Sequence, residues 1–220
     1  MNKKIKNVIV YGIIIINLIL FWMIFNSVLK NGSWIFDEPI NSFIHSFVNP
    51  ILTFICIVLA RIGGRAGTAI LTIVLSIISA VKFKNKKMAI VVILNIVFIG
   101  LLNHLIKEYV QRPRPDYRMM NVDGYSFPSG HSMISMAEWG LLISIAYKYI
   151  KNAKIKWLCI CLMSILILAM GASRIYLGVH YPSDVISGFL LGLVYIVFYT
   201  KTVNVFLKNK EKCNNMEEVK

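Results

Sequence analysis

MAIVVILNIVFIGLLNHLI, residues 88–106, runs for nineteen residues without Asp, Glu, Lys or Arg. A helix of that length rises about 30 Å, the thickness of a bilayer's hydrocarbon core, which takes about 20 apolar residues to cross. Residues 8–29, VIVYGIIIINLILFWMIFNSVL, meet the same requirement. Shorter apolar runs at 66–81, 157–173 and 183–200 add three more candidates. A sixth, about 131–150, is less obvious because it carries Glu138. The expected fold is therefore all-α: a polytopic membrane protein with six transmembrane helices and a helical-bundle core. Residues 51–60, ILTFICIVLA, are too short to cross. They are expected to form an interfacial or half-buried helix leading into the second span.

Composition agrees. Of 220 residues, 57% are hydrophobic, against roughly 45–50% in a soluble chain, and the mean hydropathy is +0.68. Intrinsic disorder is excluded. The net charge of +14 suggests a soluble nucleic-acid binder, but such a protein would not carry so many long apolar runs. Three of the four cysteines (Cys56, Cys159, Cys161) lie inside apolar segments and Cys213 lies in a Lys-rich tail, which does not suit a disulfide scaffold. The start, MNKKIKN, is like a signal-peptide n-region, yet the apolar run that follows exceeds the 7–15 residues of an h-region. It is expected to stay as the first helix.

The positive charges are sorted along the chain. With the N-terminus in the cytoplasm and six crossings, the cytoplasmic segments hold Lys3, Lys4 and Lys6; Lys82, Lys84, Lys86 and Lys87; Lys148, Lys151, Lys154 and Lys156; and Lys201, Lys208, Lys210, Lys212 and Lys220. The other side holds Lys30, Lys107 and all six Arg: Arg61, Arg65, Arg112, Arg114, Arg118 and Arg174. The positive-inside rule selects this orientation, with both termini cytoplasmic. The lysine runs need only that topological explanation. The arginines ask for a chemical one, because a guanidinium is a planar fork that matches phosphate.

Two outer segments hold the chemistry: KEYVQRPRPDYRMMNVDGYSFPSGHS (107–132) and SRIYLGVHYPSD (173–184). Together they resemble the signature of the type 2 phosphatidic acid phosphatase family, which shares its fold and site with vanadium haloperoxidases. The family's Lys, six residues, Arg-Pro is matched by Lys107, Arg114 and Pro115. Its Pro-Ser-Gly-His is matched by Pro128, Ser129, Gly130 and His131. Its Ser-Arg, five residues, His, three residues, Asp is matched by Ser173, Arg174, His180 and Asp184. The resemblance covers 107–184, with no departure from the pattern, and by extension the third to sixth helices. It implies a phosphohistidine intermediate, hydrolysed by water that His131 activates.

The residue types suit that chemistry. Phosphoryl transfer needs positive charge and hydrogen-bond donors around the equatorial oxygens, with attacking and leaving groups in line. Lys107, Arg114 and Arg174 supply charge. Ser129 and the Gly130 N–H supply neutral donors, where a Pro-Ser-Gly turn opening a helix aims free N–H groups at an anion. His180 is the expected nucleophile, oriented by Asp184 four residues later, with Pro182 in the first turn of the following helix. His131 is left as general acid toward the leaving oxygen.

Neighbouring residues have plainer readings. A lone histidine is ordinarily a satisfied polar group, so His45 and His104 are given no role. The family spacing selects Arg114 over Arg112, which is expected to be a charge on the outer rim. Arg118 is expected to be solvated. Glu138 lies seven residues after His131 on the same helical face; an interhelical hydrogen bond beneath the site is expected of it. Gly188 and Gly192 form a small-xxx-small pair for close helix packing. Trp34, Phe36, Phe43 and Phe47 read as an interfacial anchor in the first outer loop, and less readily as a lid over a lipid entrance. No Mg²⁺-type carboxylate cluster or Zn²⁺-type His/Cys spacing is present in the sequence, so neither metal nor cofactor is expected.

The expectation is one membrane-embedded phosphatase domain over 1–220. Its catalytic core covers about 88–200, with an N-terminal helix and interfacial segment over 1–65 and a cytoplasmic tail over 201–220. It is expected in a bacterial cytoplasmic membrane with its site on the extracytoplasmic face. The partners expected are the bilayer and a lipid phosphate or pyrophosphate, with no nucleic acid. Phosphatidylglycerophosphate, phosphatidic acid and undecaprenyl pyrophosphate are the candidates. Gly130 resembles the phosphatidylglycerophosphate and phosphatidate branch, because family members dedicated to undecaprenyl pyrophosphate often carry Asp there. A phosphatase of water-soluble phosphomonoesters, a vanadate-dependent haloperoxidase and a non-catalytic lipid transporter are the alternatives.

Overall fold

The computed structural model describes the backbone of residues 2–217. Met1 and residues 218–220, with Lys220, lie outside the described residues. So do the side chains of Lys3, Lys4, Lys6 and 205–217, and with them the expectations placed on Lys208, Lys210, Lys212 and Cys213. The described residues form eight helices joined by short connections: α1 (Lys3–Asn31), α2 (Asp37–His45), α3 (Pro50–Ile62), α4 (Arg65–Val81), α5 (Lys86–Val110), α6 (Gly130–Tyr149), α7 (Ala153–Tyr176) and α8 (Pro182–Glu217).

Local sequence sets these boundaries. Asn49, Asn85, Ser129 and Asn152 precede α3, α5, α6 and α7, and each side chain accepts from the backbone N–H three residues on, which satisfies one of the donors a helix start leaves free. Pro50 and Pro182 open their helices where a missing N–H costs nothing. α5 stops at Gln111 in the left-handed conformation, φ 50°, with Pro113 just beyond.

Four helices are long and apolar enough to cross a membrane: α1, α5, α7 and α8, over Asn7–Asn31, Lys86–Val110, Ala153–Tyr176 and Pro182–Asn204. α3 and α4 meet that test together as a pair bent by 54°. The expected half-buried helix over 51–60 is α3. It stays at one end of the bundle, because Asn49 at its start bonds the Tyr176 hydroxyl and Ala60 near its end meets the His131 ring. α6 falls outside the candidate spans. Its apolar run is interrupted by Ser132, Ser135 and Glu138, all buried against neighbouring helices.

The bundle is apolar on its outer faces, and its interior mixes apolar clusters with buried polar groups. Trp22 and Ile165 are 60% and 61% exposed, and so are stretches of α1, α5 and α7 that are apolar throughout, a surface no water-soluble protein presents. Some buried polar groups are paired across helices. Thr72 Oγ1 donates to Glu138 Oε1 at 3.0 Å, and Asn95 Nδ2 donates to Ala137 O at 3.0 Å. Glu138 thus makes the interhelical bond expected of it.

α6 is the central helix, packed on α5, α7 and α8. The α6–α8 contact depends on Gly188 and Gly192. A Cβ on Gly188 would lie 2.7 Å from Ser129 O, and one on Gly192 would lie 2.7 Å from the Met136 Cβ. We expect Gly188→Ala to lower stability by about 1–3 kcal/mol and to reduce activity, since it presses on the start of α6. Gly12→Ala, whose Cβ meets nothing within 4 Å, should leave thermal unfolding in detergent unchanged or slightly raised.

Helix direction separates the charges. Arg112 Nε donates to Gly32 O at 3.1 Å, and Met119 N donates to Leu177 O at 2.9 Å, which gathers the α1–α2, α5–α6 and α7–α8 connections at one end. At the other end Lys148 Nζ lies 3.5 Å from Asn204 Oδ1 and Lys201 Nζ lies 4.2 Å from the Tyr11 ring centroid. The junctions bearing Lys82, Lys84, Lys148 and Lys151 are on this second end, and the arginines are on the first.

Candidate active site

A cavity of about 410 Å³ opens at the arginine end. Lys107 and Asn103 reach it from α5, Gly130 and His131 from the start of α6, Arg174 from the last turn of α7, Arg114 and His180 from the two connections, and Arg65 from the start of α4. The two sequence segments, separated by the forty residues 133–172, therefore converge on one space.

Asp184 anchors the first reactive group. It lies in the opening turn of α8, fully buried. Its Oδ2 accepts from Tyr181 N at 2.9 Å and faces His180 Nδ1 at 3.4 Å. With the Nδ1 hydrogen toward this carboxylate, the lone pair of His180 is on Nε2, which meets Arg114 Nη1 at 3.2 Å. Burial, and then the charges of Lys107, Arg114 and Arg174 and the neighbouring His131, hold the His180 pKa well below its ordinary value. The imidazole is neutral through the neutral pH range, the state in which Nε2 can attack.

His131 is fixed from the opposite wall. Its Nε2 lies 3.0 Å from Ala60 O, and a carbonyl can only accept, so Nε2 carries the hydrogen and Nδ1 is free to exchange a proton.

Three cations surround the space, in different states. Lys107 Nζ donates to Tyr125 O at 2.5 Å and to Ser126 O at 3.2 Å. Arg114 donates to Gly124 O, Asp123 O and Val179 O at 2.9, 3.1 and 2.9 Å, which fixes its fork against the loop. Arg174 is only 1% exposed, and its Nε and Nη1 have no hydrogen-bond partner. A buried guanidinium without partners is costly; here it borders the cavity, where an anion would satisfy it.

Ser129 is placed differently from the expectation. It is fully buried, its N–H donates to Asp184 O at 2.9 Å, and its Oγ meets Ser132 N at 3.4 Å and Ser132 Oγ at 3.0 Å. It caps α6 and ties that helix to Asp184 and is not among the residues lining the cavity, whereas Gly130 is. A Cβ on Gly130 would stand 3.1 Å from Asn103 Oδ1.

Arg112 overturns its assignment to the rim. It is 3% exposed, with Nη1 2.6 Å from Asp184 Oδ1 and Nη2 2.8 Å from Asp37 Oδ2. The Arg-Pro spacing is silent on this, since the partner Asp37 is 75 residues away. Arg118 is exposed as expected. His104 borders the cavity but pairs with Glu108 at 3.7 Å on the exposed side. His45 sits edge-on to the Tyr117 ring, away from the cavity. Asn103, Arg65 and Asp123 join the lining without a sequence signal of their own, although Asn103 is one helical turn before Lys107 and so shares its face.

Among known proteins, a family model described as the PAP2 superfamily matches residues 88–208. Phosphatidylglycerophosphatase B of Bacillus subtilis (strain 168) is 38% identical over 99 residues, 43% of this chain and 47% of that protein. An undecaprenyl-diphosphatase of Sulfolobus acidocaldarius is 32% identical over 90 residues, 41% and 36% of the respective chains. The matches span about half or less of these curated relatives. Among solved structures, the transmembrane PAP2-type phosphatidylglycerolphosphate phosphatase from Bacillus subtilis superposes with a TM-score of 0.78 at 24% identity, over 86% of this chain and 94% of that one. Aquifex aeolicus LpxE superposes with a TM-score of 0.59 at 23% identity, over 76% and 96%. These two likenesses establish the fold.

Proposed function

The chain belongs to the PAP2 superfamily, and from that membership we propose that it is an integral membrane phosphatase that hydrolyses a lipid phosphate monoester or pyrophosphate. The observation that supports this most is the facing of His180 Nε2, backed by Asp184, into a space bordered by Lys107, Arg114 and the unpartnered Arg174.

In this reading a phosphoryl group sits between the three cations and the free N–H at the start of α6. His131 takes up a second proton, at Nδ1, as the anionic phosphoryl group binds beside it; His180 Nε2 then attacks phosphorus while the bond to the leaving oxygen breaks, and His131 Nδ1 gives that oxygen the proton. His131, now neutral, takes a proton from water, which attacks the phosphohistidine and releases phosphate. Asp184 stabilises the charge that develops on the His180 ring. Ser129 assists by fixing the Gly130 turn. The three side-chain cations supply the charge that metal ions supply in other phosphoryl-transfer sites, so no metal is assigned.

The lipid assignment follows from placement. The cavity lies at the end of helices whose outer faces are apolar, and Phe36, Phe43, Ile51 and Phe54, in and just before α2 and in α3, are exposed. The relatives' printed names refer to phosphatidylglycerophosphate and undecaprenyl diphosphate, and the candidate substrates are accordingly phosphatidylglycerophosphate, phosphatidic acid and undecaprenyl pyrophosphate. We assign six crossings, counting α3–α4 as one and including α6. Both termini are then cytoplasmic, and the site is on the outer face of a bacterial cytoplasmic membrane. Residues 88–200 form the core, 1–65 the N-terminal part and 201–220 the tail.

The test is phosphate release by the purified protein in detergent from each candidate lipid and from soluble phosphomonoesters. We expect turnover of at least one lipid above any soluble ester, unchanged by EDTA. Faster turnover of a soluble ester would displace the lipid reading, and loss of activity on chelation, restored by Mg²⁺, would overturn the metal-free chemistry.

A further inference from the structure

Behind the His180–Asp184 pair lies a second layer of buried charge that the motif does not contain. Arg112 spends every guanidinium nitrogen there. Nε donates to Gly32 O at 3.1 Å, Nη1 to Ser183 Oγ at 2.7 Å and to Asp184 Oδ1 at 2.6 Å, and Nη2 to Asp37 Oδ2 at 2.8 Å. Its guanidinium carbon also stacks 3.9 Å from the Tyr181 ring centroid. Asp37, in the first turn of α2 and 4% exposed, accepts from Arg112, from Trp34 N at 3.0 Å and from the Ser183 N–H and hydroxyl, both at 2.8 Å. Neither Asp37 nor Arg112 borders the cavity.

We propose that Asp37 and Arg112 are positioning residues: a buried carboxylate–guanidinium–carboxylate chain that fixes Asp184, and through it the attacking imidazole of His180. The proposal rests on His180 being the nucleophile.

Geometry gives the first reason. A carboxylate facing one imidazole can rotate about its terminal bond. Asp184 cannot, because Arg112 holds Oδ1 while Tyr181 N holds Oδ2 toward His180. Asp37 in turn locks Arg112 and the second residue of α8 together, so the start of α8 and the start of α2 move as one unit. Charge gives the second reason. The groups facing His180 from α5, α6, α7 and the 111–129 connection are Lys107, His131, Arg174 and Arg114, all cationic or able to become so. Asp184 is its neighbouring carboxylate. Were Arg112 paired with Asp184 alone, that negative charge would be neutralised. Asp37 takes half of the guanidinium, and the trio keeps one net negative charge to meet the positive charge that forms on the ring during attack.

The chain also reaches the surface. α2 carries Phe43 on an exposed face, and Phe43 stacks edge-on with Phe47 at 5.1 Å, while its buried carboxylate enters the network. The aromatic segment first read as an anchor is therefore wired to the catalytic pair through one residue.

A double-mutant cycle tests this. Asp37→Asn is expected to lower kcat about 10- to 100-fold, with KM for the lipid unchanged within about twofold, because substrate does not touch the site of change. In an Asp184→Asn background the same substitution should have no further effect on kcat, since Asp37 acts only through Asp184. Ser183→Ala, which keeps every charge and removes the two hydroxyl bonds to Arg112 and Asp37, should reproduce a smaller loss that also vanishes in that background; it reads the chain if Asp37→Asn does not fold. Carbethoxylation of His180 by diethyl pyrocarbonate, followed by mass spectrometry, reads the ring without any turnover. It should slow in Asp37→Asn and slow no further when Asp184→Asn is added. Independent, multiplying effects of the two substitutions, or a loss seen only in KM or in thermal stability, would overturn the proposal. If the wild type releases no phosphate from any ester, the assigned function falls, and the carbethoxylation rates alone decide for or against the positioning chain.

Discussion

His180→Ala is expected to lower kcat by about four orders of magnitude or more, with the protein still folded. The side chain is the group from which the intermediate is built, so no neighbour replaces it. His131 is held on the other wall by Ala60 O at 3.0 Å and meets the leaving oxygen. The fold should survive because Asp184 keeps its remaining partners, Arg112 Nη1 at 2.6 Å and Tyr181 N at 2.9 Å. The check is phosphate release alongside thermal unfolding in detergent. Turnover within tenfold of wild type would remove His180 from the reaction.

Arg174→Met has the second largest expected effect, and it moves two quantities in opposite directions. The Arg174 guanidinium is buried, and no protein group bonds its Nε or Nη1; burying such a charge costs stability. An apolar chain of similar length removes that cost, so thermal stability should rise. Activity should fall about 10²- to 10³-fold, the loss seen when one preorganised donor to a developing anion is removed. The wild-type protein thus gives up stability for affinity in the transition state. A variant both less stable and fully active would show that Arg174 is a structural cation with no part in phosphate binding.

Much of the fold is legible because helix length and charge placement are local. α1 and α5 follow from 8–29 and 88–106, and the lysine junctions fall at one end as the alternation of spans requires. α3 follows from a run too short to cross. α6 is harder, since Ser132, Ser135 and Glu138 lower its hydropathy for a reason visible only once α4, α5 and α8 are packed around it. The reacting groups are legible for a different reason: Lys107, Arg114, His131, Arg174, His180 and Asp184 sit at fixed short spacings near helix ends, and the fold brings those ends together. Ser129 shows the limit. Its position in the motif fits a phosphate donor as well as a helix cap, and only its bonds to Ser132 and Asp184 distinguish them. Arg112 and Asp37 show it more sharply. Their contact joins α2 to the connection before α6 across 75 residues, and neither residue type nor local spacing carries that pairing.

The account stands on a covalent bond between phosphorus and His180 Nε2. The most direct measurement uses a lipid substrate labelled in its terminal phosphate, mixed with the wild-type protein and stopped within the first turnover, because His131 serves both steps and its substitution would also slow formation of the intermediate. The reaction is quenched in base and the peptides are sequenced by mass spectrometry. The label is expected on His180, acid-labile and absent from His180→Ala. Phosphate release with no labelled histidine, or with the label on another residue, would contradict the account.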